Sequence, residues 1–240
     1  MITMEQLLDK TIKGLEKIDW KNFDDIALKS GIILGDIFNN KDIIDLLLKR
    51  AIRDNHLVSM AEHYDFFDKI ILYIDKKDRF RIRLHIFSGE DSNKYRPHCH
   101  RWDYSSLILK GGYEQNIYGT EENINEDTKI QSLNPILTQE EKVGSIYTIS
   151  NKTFHSIAAE KDTVSMLIRG LSVKDRFLIM DKKVNKIWWE YGRESETIEE
   201  IRSKSMTPES FREIVKKVYG LISIGYNSPA PWGENKIKFN

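Results

Sequence analysis

The spacing of apolar residues changes its period at about residue 64. Before that point apolar positions recur every three to four residues, which predicts helices over Met4–Leu15, Asn22–Phe38 and Asp42–Asn55. Thr3 is the predicted cap of the first helix. None of these helices carries a chemical motif, so we interpret residues 1–60 as a helical extension that packs on the rest of the chain.

Between residues 64 and 192 the pattern alternates with period two, which is typical of strands. The longest run is Arg79–Phe87, which places Arg81, Arg83 and His85 on one face and apolar residues on the other. A polar face usually lies in water, but in a barrel built around a ligand cavity it can line that cavity instead. The other predicted strands cover residues 70–74, 106–113, 113–118, 144–149, 162–171, 172–180 and 186–191.

Many short strands with helices only at the two ends predict one β-barrel or sandwich. Residues 193–240 are predicted to hold a C-terminal helix, from Thr207 to about Tyr219, followed by a tail. The chain of 240 residues is long enough for one large β domain with added helices.

Charge and cysteine usage narrow the class of protein further. Basic and acidic residues both number 37, and a formal charge of zero argues against general electrostatic binding to nucleic acid or to an anionic membrane. No apolar run approaches a membrane span, and the first residues lack the apolar core of a signal peptide. The single cysteine, Cys99, excludes an internal disulfide framework. We therefore expect a cytoplasmic protein with neither nucleic-acid nor membrane partners.

Three histidines are the main candidates for chemistry. His98 and His100 are separated by one residue, so on an extended strand both side chains point to the same side. His155 follows a loop in Ser150–His155 and can approach them from a distant strand. Imidazole suits iron, copper, nickel or zinc, and three such ligands leave positions open for other molecules. The sequence thus predicts a mononuclear metal site of His98, His100 and His155.

The arrangement of these histidines resembles the cupin superfamily. His98, Cys99, His100 and Gly111 match the first cupin motif, and Gly144 and His155 match the spacing of the second. Tyr104 or Ser105 stands where that motif has a glutamate. The resemblance implies a mainly β fold, the cupin double-stranded β-helix or jelly-roll barrel. In this chain it would carry the N-terminal helical extension and the C-terminal helix.

A three-histidine site without the glutamate resembles the thiol dioxygenases, cysteine dioxygenase in particular. That resemblance implies a non-haem Fe(II) oxygenase acting on a small polar substrate, amino-acid-like or bearing a carboxylate, with O2 as the second substrate. Zn, Ni and Mn are the alternative metals. A metal-dependent lyase or isomerase, or a non-catalytic small-molecule-binding cupin, are the alternative functions. Cupins often dimerise by sheet packing, which implies a homodimer.

Candidate roles follow for residues near the histidines. Asp103, Tyr104 and Arg169 are our candidate catalytic residues. Asp103 can serve as a fourth ligand, orient a ligand imidazole, or only form hydrogen bonds in a loop. The candidate substrate-binding residues are Arg81, Arg83, His85, Trp102 and Arg169, since a guanidinium pairs with a carboxylate through two hydrogen bonds.

Overall fold

The computed structural model of the chain describes residues 3–89 and 94–222. Four helices come first: α1 (Met4–Leu15), α2 (Phe23–Asn39), α3 (Asp42–Ala51) and α4 (Asn55–Ser59). The first begins as predicted, because Thr3 and Gln6 exchange side-chain and backbone hydrogen bonds in a capping box. The third ends earlier than predicted. Asp54 accepts hydrogen bonds from two backbone amides beyond it and so begins a new helix.

Eleven strands follow among the described residues, and two further helices complete the described part of the chain. The strands are β1 (Glu62–Tyr64), β2 (Phe67–Ile74), β3 (Arg81–Phe87), β4 (Tyr104–Lys110), β5 (Gly112–Thr120), β6 (Leu137–Lys142), β7 (Ile146–Ile149), β8 (Thr153–Ala159), β9 (Val164–Arg169), β10 (Arg176–Asp181) and β11 (Lys186–Tyr191). The helices are α5 (Ile198–Lys204) and α6 (Pro208–Ile222). Within the described part of the chain, no helix is both long and apolar enough to cross a membrane.

Antiparallel pairing arranges the strands in two facing layers. The six-stranded sheet has the order β1-β2-β3-β9-β4-β7. The opposite layer contains β6-β5-β8 and the β10-β11 hairpin, and bridges from His98 to His155 and to Ile179 join them. With the His98 segment counted as a strand, β3 to β9 are eight strands that alternate between the layers except at β5 and β6, which are neighbours in one layer, and this is the strand arrangement of a jelly roll. The fold is therefore mainly β, a jelly roll with helices at both ends.

The largest apolar core lies outside the barrel, between the six-stranded sheet and the helices. Outward-facing residues of β3, β4 and β9, such as Leu84, Leu107 and Ile168, pack there with Leu47 of α3 and Val215 of α6. This arrangement follows from the alternation on β3, because its apolar face meets the helices. Its polar face is left to the interior of the barrel.

Some strands differ from the prediction, and one predicted bend is present. The predicted strand 172–180 begins only at Arg176, and neither β1 nor β6 was predicted. Most side chains of β6 are exposed, since it lies at the edge of its sheet, so its sequence shows no alternation. The bend predicted at Gly111-Gly112 is confirmed. Gly111 has a φ of 70°, and a Cβ there would clash with Thr163 Oγ1.

Candidate metal centre

The segment that carries His98 and His100 runs between β8 and β10. The backbone amides of His98 and His155 each donate to the other's carbonyl at 2.9 Å, and Met180 N donates to Pro97 O at 2.9 Å. The segment forms isolated bridges and is not the regular strand that we predicted. Side chains still alternate along it, so both histidines line the cavity while Cys99 is buried in a separate apolar cluster.

The three histidine rings meet at one point of the cavity wall. Their centroids lie 4.8 to 5.0 Å apart, and one ring nitrogen from each can be chosen so that all three lie within 4.8 Å of one another. The Nε2 atoms of His100 and His155 are only 2.8 Å apart. The structure therefore gathers three nitrogen donors around a single small space.

The protonation of these rings suits metal binding. Burial lowers the pKa of all three, and for His100 and His155 it does so strongly, so the rings are neutral near pH 7 and keep a free lone pair. His98 Nδ1 lies 2.8 Å from the carbonyl oxygen of Arg96, which fixes the proton on Nδ1 and leaves Nε2 free. His155 Nδ1 is buried without a hydrogen-bond partner in the described part of the chain. These three residues fit a divalent transition metal.

The ligand cluster contains no carboxylate or thiol. Among the described residues it consists of His98, His100 and His155 alone. Asp103 Oδ1 instead accepts hydrogen bonds from the backbone nitrogen and the side-chain Nδ2 of Asn151, each at 2.6 Å. Asn151 lies in the turn before β8, which carries His155. Asp103 thus holds the turn that positions a histidine, and it is not part of the cluster of candidate ligands.

A cavity of about 620 Å³ opens from the histidines into the barrel, large enough for a small molecule. Residues 81, 83, 85 and 87 of β3 line it, together with Ser165, Leu167 and Arg169 of β9. The polar face of β3 therefore lies inside the barrel. Phe177, Ile179 and Trp188 from the β10-β11 hairpin line another part of the cavity.

The arginines of this wall differ in their partners. Arg81 donates two hydrogen bonds to Asp78, at 2.7 and 2.8 Å. Arg83 and Arg169 are both buried, and the guanidinium carbons lie 5.1 and 5.3 Å from the ring centroid of Trp102. Trp102 in turn lies 5.5 Å from His100, measured between ring centroids. The indole therefore lies close to both His100 and the two buried arginines.

Tyrosines occupy another side of the histidine cluster. The hydroxyl of Tyr104 lies 3.4 Å from His155 Nε2, and its ring contacts Tyr147, whose hydroxyl hydrogen-bonds that of Tyr113. Burial, reinforced by Tyr147, raises the pKa of Tyr104 well above its usual value, so its hydroxyl stays protonated. Tyr104 was a candidate from the sequence, but Tyr113 and Tyr147 were not.

Several further charged residues of the cavity were not predicted from the sequence, and two of them form a pair on its wall. Lys69 of β2 and Glu62 of β1 form an ion pair on the cavity wall, and Tyr64 donates a hydrogen bond to Glu62 at 2.7 Å. The sequence gives no clear signal for them. Phe67–Ile71 does not alternate between charged and apolar residues, so it does not show which face points inward.

No protein-family model matches the sequence, and neither does any curated protein. Solved structures do show similarity. An RmlC-like cupin from Shewanella frigidimarina is 11% identical, covering 49% of this chain and 87% of that one, with a TM-score of 0.35. KdgF from Halomonas sp. is 15% identical, covering 47% and 85%, with a TM-score of 0.33.

The hydroxypropylphosphonic acid epoxidase of S. wedmorenis is 13% identical, covering 45% of this chain and 51% of that one, with a TM-score of 0.33. These likenesses concern part of the fold and carry no information on activity. The candidate function therefore rests on the side chains of this chain.

Proposed function

We propose that this protein is a mononuclear metal-dependent enzyme, a non-haem Fe(II) oxygenase that acts on a small acidic substrate. The observation that supports it best is the cluster of three buried, neutral histidines, without a carboxylate, on the wall of a cavity of about 620 Å³. A three-nitrogen donor set leaves coordination positions open, which an enzyme needs and a purely structural metal site lacks.

His98, His100 and His155 would hold the metal, and iron bound there would supply the activation of dioxygen beside the substrate. The chain contributes the rest. Burial keeps the histidines neutral, and the Arg96 carbonyl orients His98. Asp103 is a positioning residue in this proposal, because it holds the turn before His155 through Asn151.

Tyr104 and Arg169 take the remaining roles. The protonated hydroxyl of Tyr104 lies beside His155 Nε2, where it can donate a hydrogen bond to a substrate atom next to the metal. Arg169 lies over the ring of Trp102 and is suited to binding a negatively charged group. His85 and Trp102 complete the wall between them.

Oxygen consumption tests the proposal. Protein reconstituted with Fe(II) is offered a panel of small carboxylic and phosphorylated acids under an oxygen electrode, with metal-stripped and zinc-loaded protein as controls. We expect at least one acid to cause oxygen uptake in the iron form alone. Tyr104→Phe should lower that rate by about tenfold or more, in line with the loss of one hydrogen-bond donor at the reacting centre.

Turnover of an acid without oxygen uptake would contradict the oxygenase assignment and indicate a lyase or isomerase that uses the metal as a Lewis acid. Tight binding of an acid with no turnover by any metal form would contradict an enzymatic function altogether.

A further inference from the structure

Two guanidinium groups on the cavity wall carry charges that nearby carboxylates do not neutralise. Arg83 is 8% exposed and Arg169 is 5% exposed. The Nε atoms of both are buried and have no hydrogen-bond partner in the described part of the chain. Arg169 donates one hydrogen bond, to the carbonyl of Gly170 at 2.8 Å. Buried donors without acceptors are costly, so native proteins rarely keep them without a reason.

The other cations of the same cavity are paired. Arg101 binds Glu194, and Arg193 binds Glu62. Asp78 is the carboxylate nearest to Arg169, at 3.9 Å, but it is already held by the two hydrogen bonds from Arg81. Glu62 and Asp78 attract Arg83 from a distance without a hydrogen bond to it. Among the described cations of the cavity, only Arg83 and Arg169 therefore lack a hydrogen bond to a carboxylate.

The pKa values of the two guanidinium groups show the electrostatic cost of this arrangement. Burial, followed by repulsion from Arg83 and Arg81, lowers the pKa of Arg169 to about 8. Burial and repulsion from Arg81 lower the pKa of Arg83 to about 10. Both groups remain positive at neutral pH. A bound anion would relieve both the desolvation and the mutual repulsion.

We propose that Arg83 and Arg169 together bind a group of the substrate with two negative charges, either a phosphate-type dianion or a pair of carboxylates, beside Trp102 in the cavity. Two buried guanidiniums match two charges, and each can offer parallel N–H donors to anionic oxygens. This proposal deepens the proposed function, and it rests on that function in treating the bound anion as part of the substrate. The anion site itself does not depend on a bound metal.

Trp102 contacts both the proposed anion site and the histidine cluster. Its indole lies 5.5 Å from the ring of His100, and 5.1 and 5.3 Å from the guanidinium carbons of Arg83 and Arg169. An anion held by the two arginines would therefore lie beside the indole, in the same cavity as the histidines.

Calorimetric titration of the full chain tests the proposal, with inorganic phosphate, succinate and acetate as the probes. It is performed on protein as purified and on protein treated with a chelator, so that anion binding and metal content are measured separately. We expect phosphate or succinate to bind at least about tenfold more tightly than acetate, with or without metal. Tighter binding of phosphate than of succinate would identify the ligand group as a phosphate-type dianion. Tighter binding of succinate would identify it as a pair of carboxylates.

Substitutions of the cavity arginines test whether the dianion binds at Arg83 and Arg169. Arg83→Met and Arg169→Met should each weaken binding of the preferred dianion by about tenfold or more, since each removes charged hydrogen bonds to it. Arg83→Lys and Arg169→Lys keep the charge and should lose less, and they replace the Met variants if those fail to fold. Arg193→Met is the matched control. It removes a cavity arginine that already donates a hydrogen bond to Glu62, so binding should stay within about twofold.

Three results would overturn the proposal: no binding of either dianion up to about 10 mM, acetate binding as tightly as both dianions, or an equal loss in Arg193→Met and Arg83→Met. A dianion that binds as expected in protein that never retains metal would leave the anion site standing and contradict only the metal-dependent function.

Discussion

The two faces of the six-stranded sheet have opposite composition although the same strands form them. On the outer face Ile82, Leu84 and Ile168 pack under the helices in the largest apolar core of the described residues. On the inner face Arg83 and Arg169 line a cavity, with buried nitrogen atoms that have no partner among those residues. The outer face stabilises the fold by burying apolar side chains. The inner face carries buried charged groups that destabilise the fold but are arranged in a way that suits ligand binding.

Three consecutive residues of β3 make this contrast measurable. Arg83 and His85 point into the cavity, and Leu84 between them points to the helices. Replacing each in turn therefore compares the two faces at one place in the fold. All three measurements are made in the presence of a chelator, because a bound metal would itself stabilise the folded state.

The largest effect is expected at the outer face. Leu84 is fully buried, and Leu84→Ala leaves a cavity in the core, so the free energy of unfolding should fall by about 2–5 kcal/mol. Urea denaturation measures the loss. A loss below about 1 kcal/mol would show that the outer face does not carry the stability assigned to it.

His85 should make the stability of the folded protein depend on pH. Burial, Arg83 and Lys69 lower its pKa well below the usual value of 6.5, so below pH 6.5 the unfolded chain binds a proton that the folded chain does not. Stability therefore falls as the pH drops from about 6.5, with a slope of about 1.4 kcal/mol per pH unit for each such proton.

The three clustered histidines also have lowered pKa values, so they too make stability fall as the pH drops. The contribution of His85 is therefore isolated by comparing wild type with His85→Gln. Between about pH 6 and pH 5 the variant should show a slope shallower by up to one proton, roughly 1.4 kcal/mol per pH unit. Equal slopes would mean that His85 is protonated in the folded protein, which its burial opposes.

The smallest effect, and one of opposite sign, is expected at Arg83. Arg83→Met removes a buried charge without a hydrogen-bonded carboxylate and keeps most of the side-chain volume, so stability should be unchanged or higher by about 1 kcal/mol. The same denaturation series measures it. A loss as large as that of Leu84→Ala would mean that Arg83 is a structural residue, and the contrast between the faces would disappear.

The sequence predicted the features that local pattern determines. The alternation on β3 separated its two faces, and Thr3 marked the start of α1. The spacing of His98, His100 and His155 correctly grouped three residues that meet on one wall of the cavity. Each of these features depends on backbone geometry over a few residues or on a known motif.

What the sequence did not reveal depends on contacts between distant strands. Whether Arg81 or Arg83 has a free guanidinium depends on Asp78 in the turn before β3, which pairs with only one of them. Lys69 and Tyr147 reach the cavity from β2 and β7, and nothing in their own segments shows which side faces inward. Asp103 had several possible roles, and only its contacts with Asn151 distinguish among them.

The central claim is that the three histidines bind a metal, and elemental analysis tests it most directly. Wild type purified without added metal is compared with the variant His98→Ala/His100→Ala/His155→Ala and with His85→Gln, which alters a cavity histidine outside the cluster. We predict close to one metal ion, iron, per chain in wild type and His85→Gln, and none in the triple variant. Equal metal content in wild type and a folded triple variant, or no metal in wild type even after reconstitution, would contradict the claim.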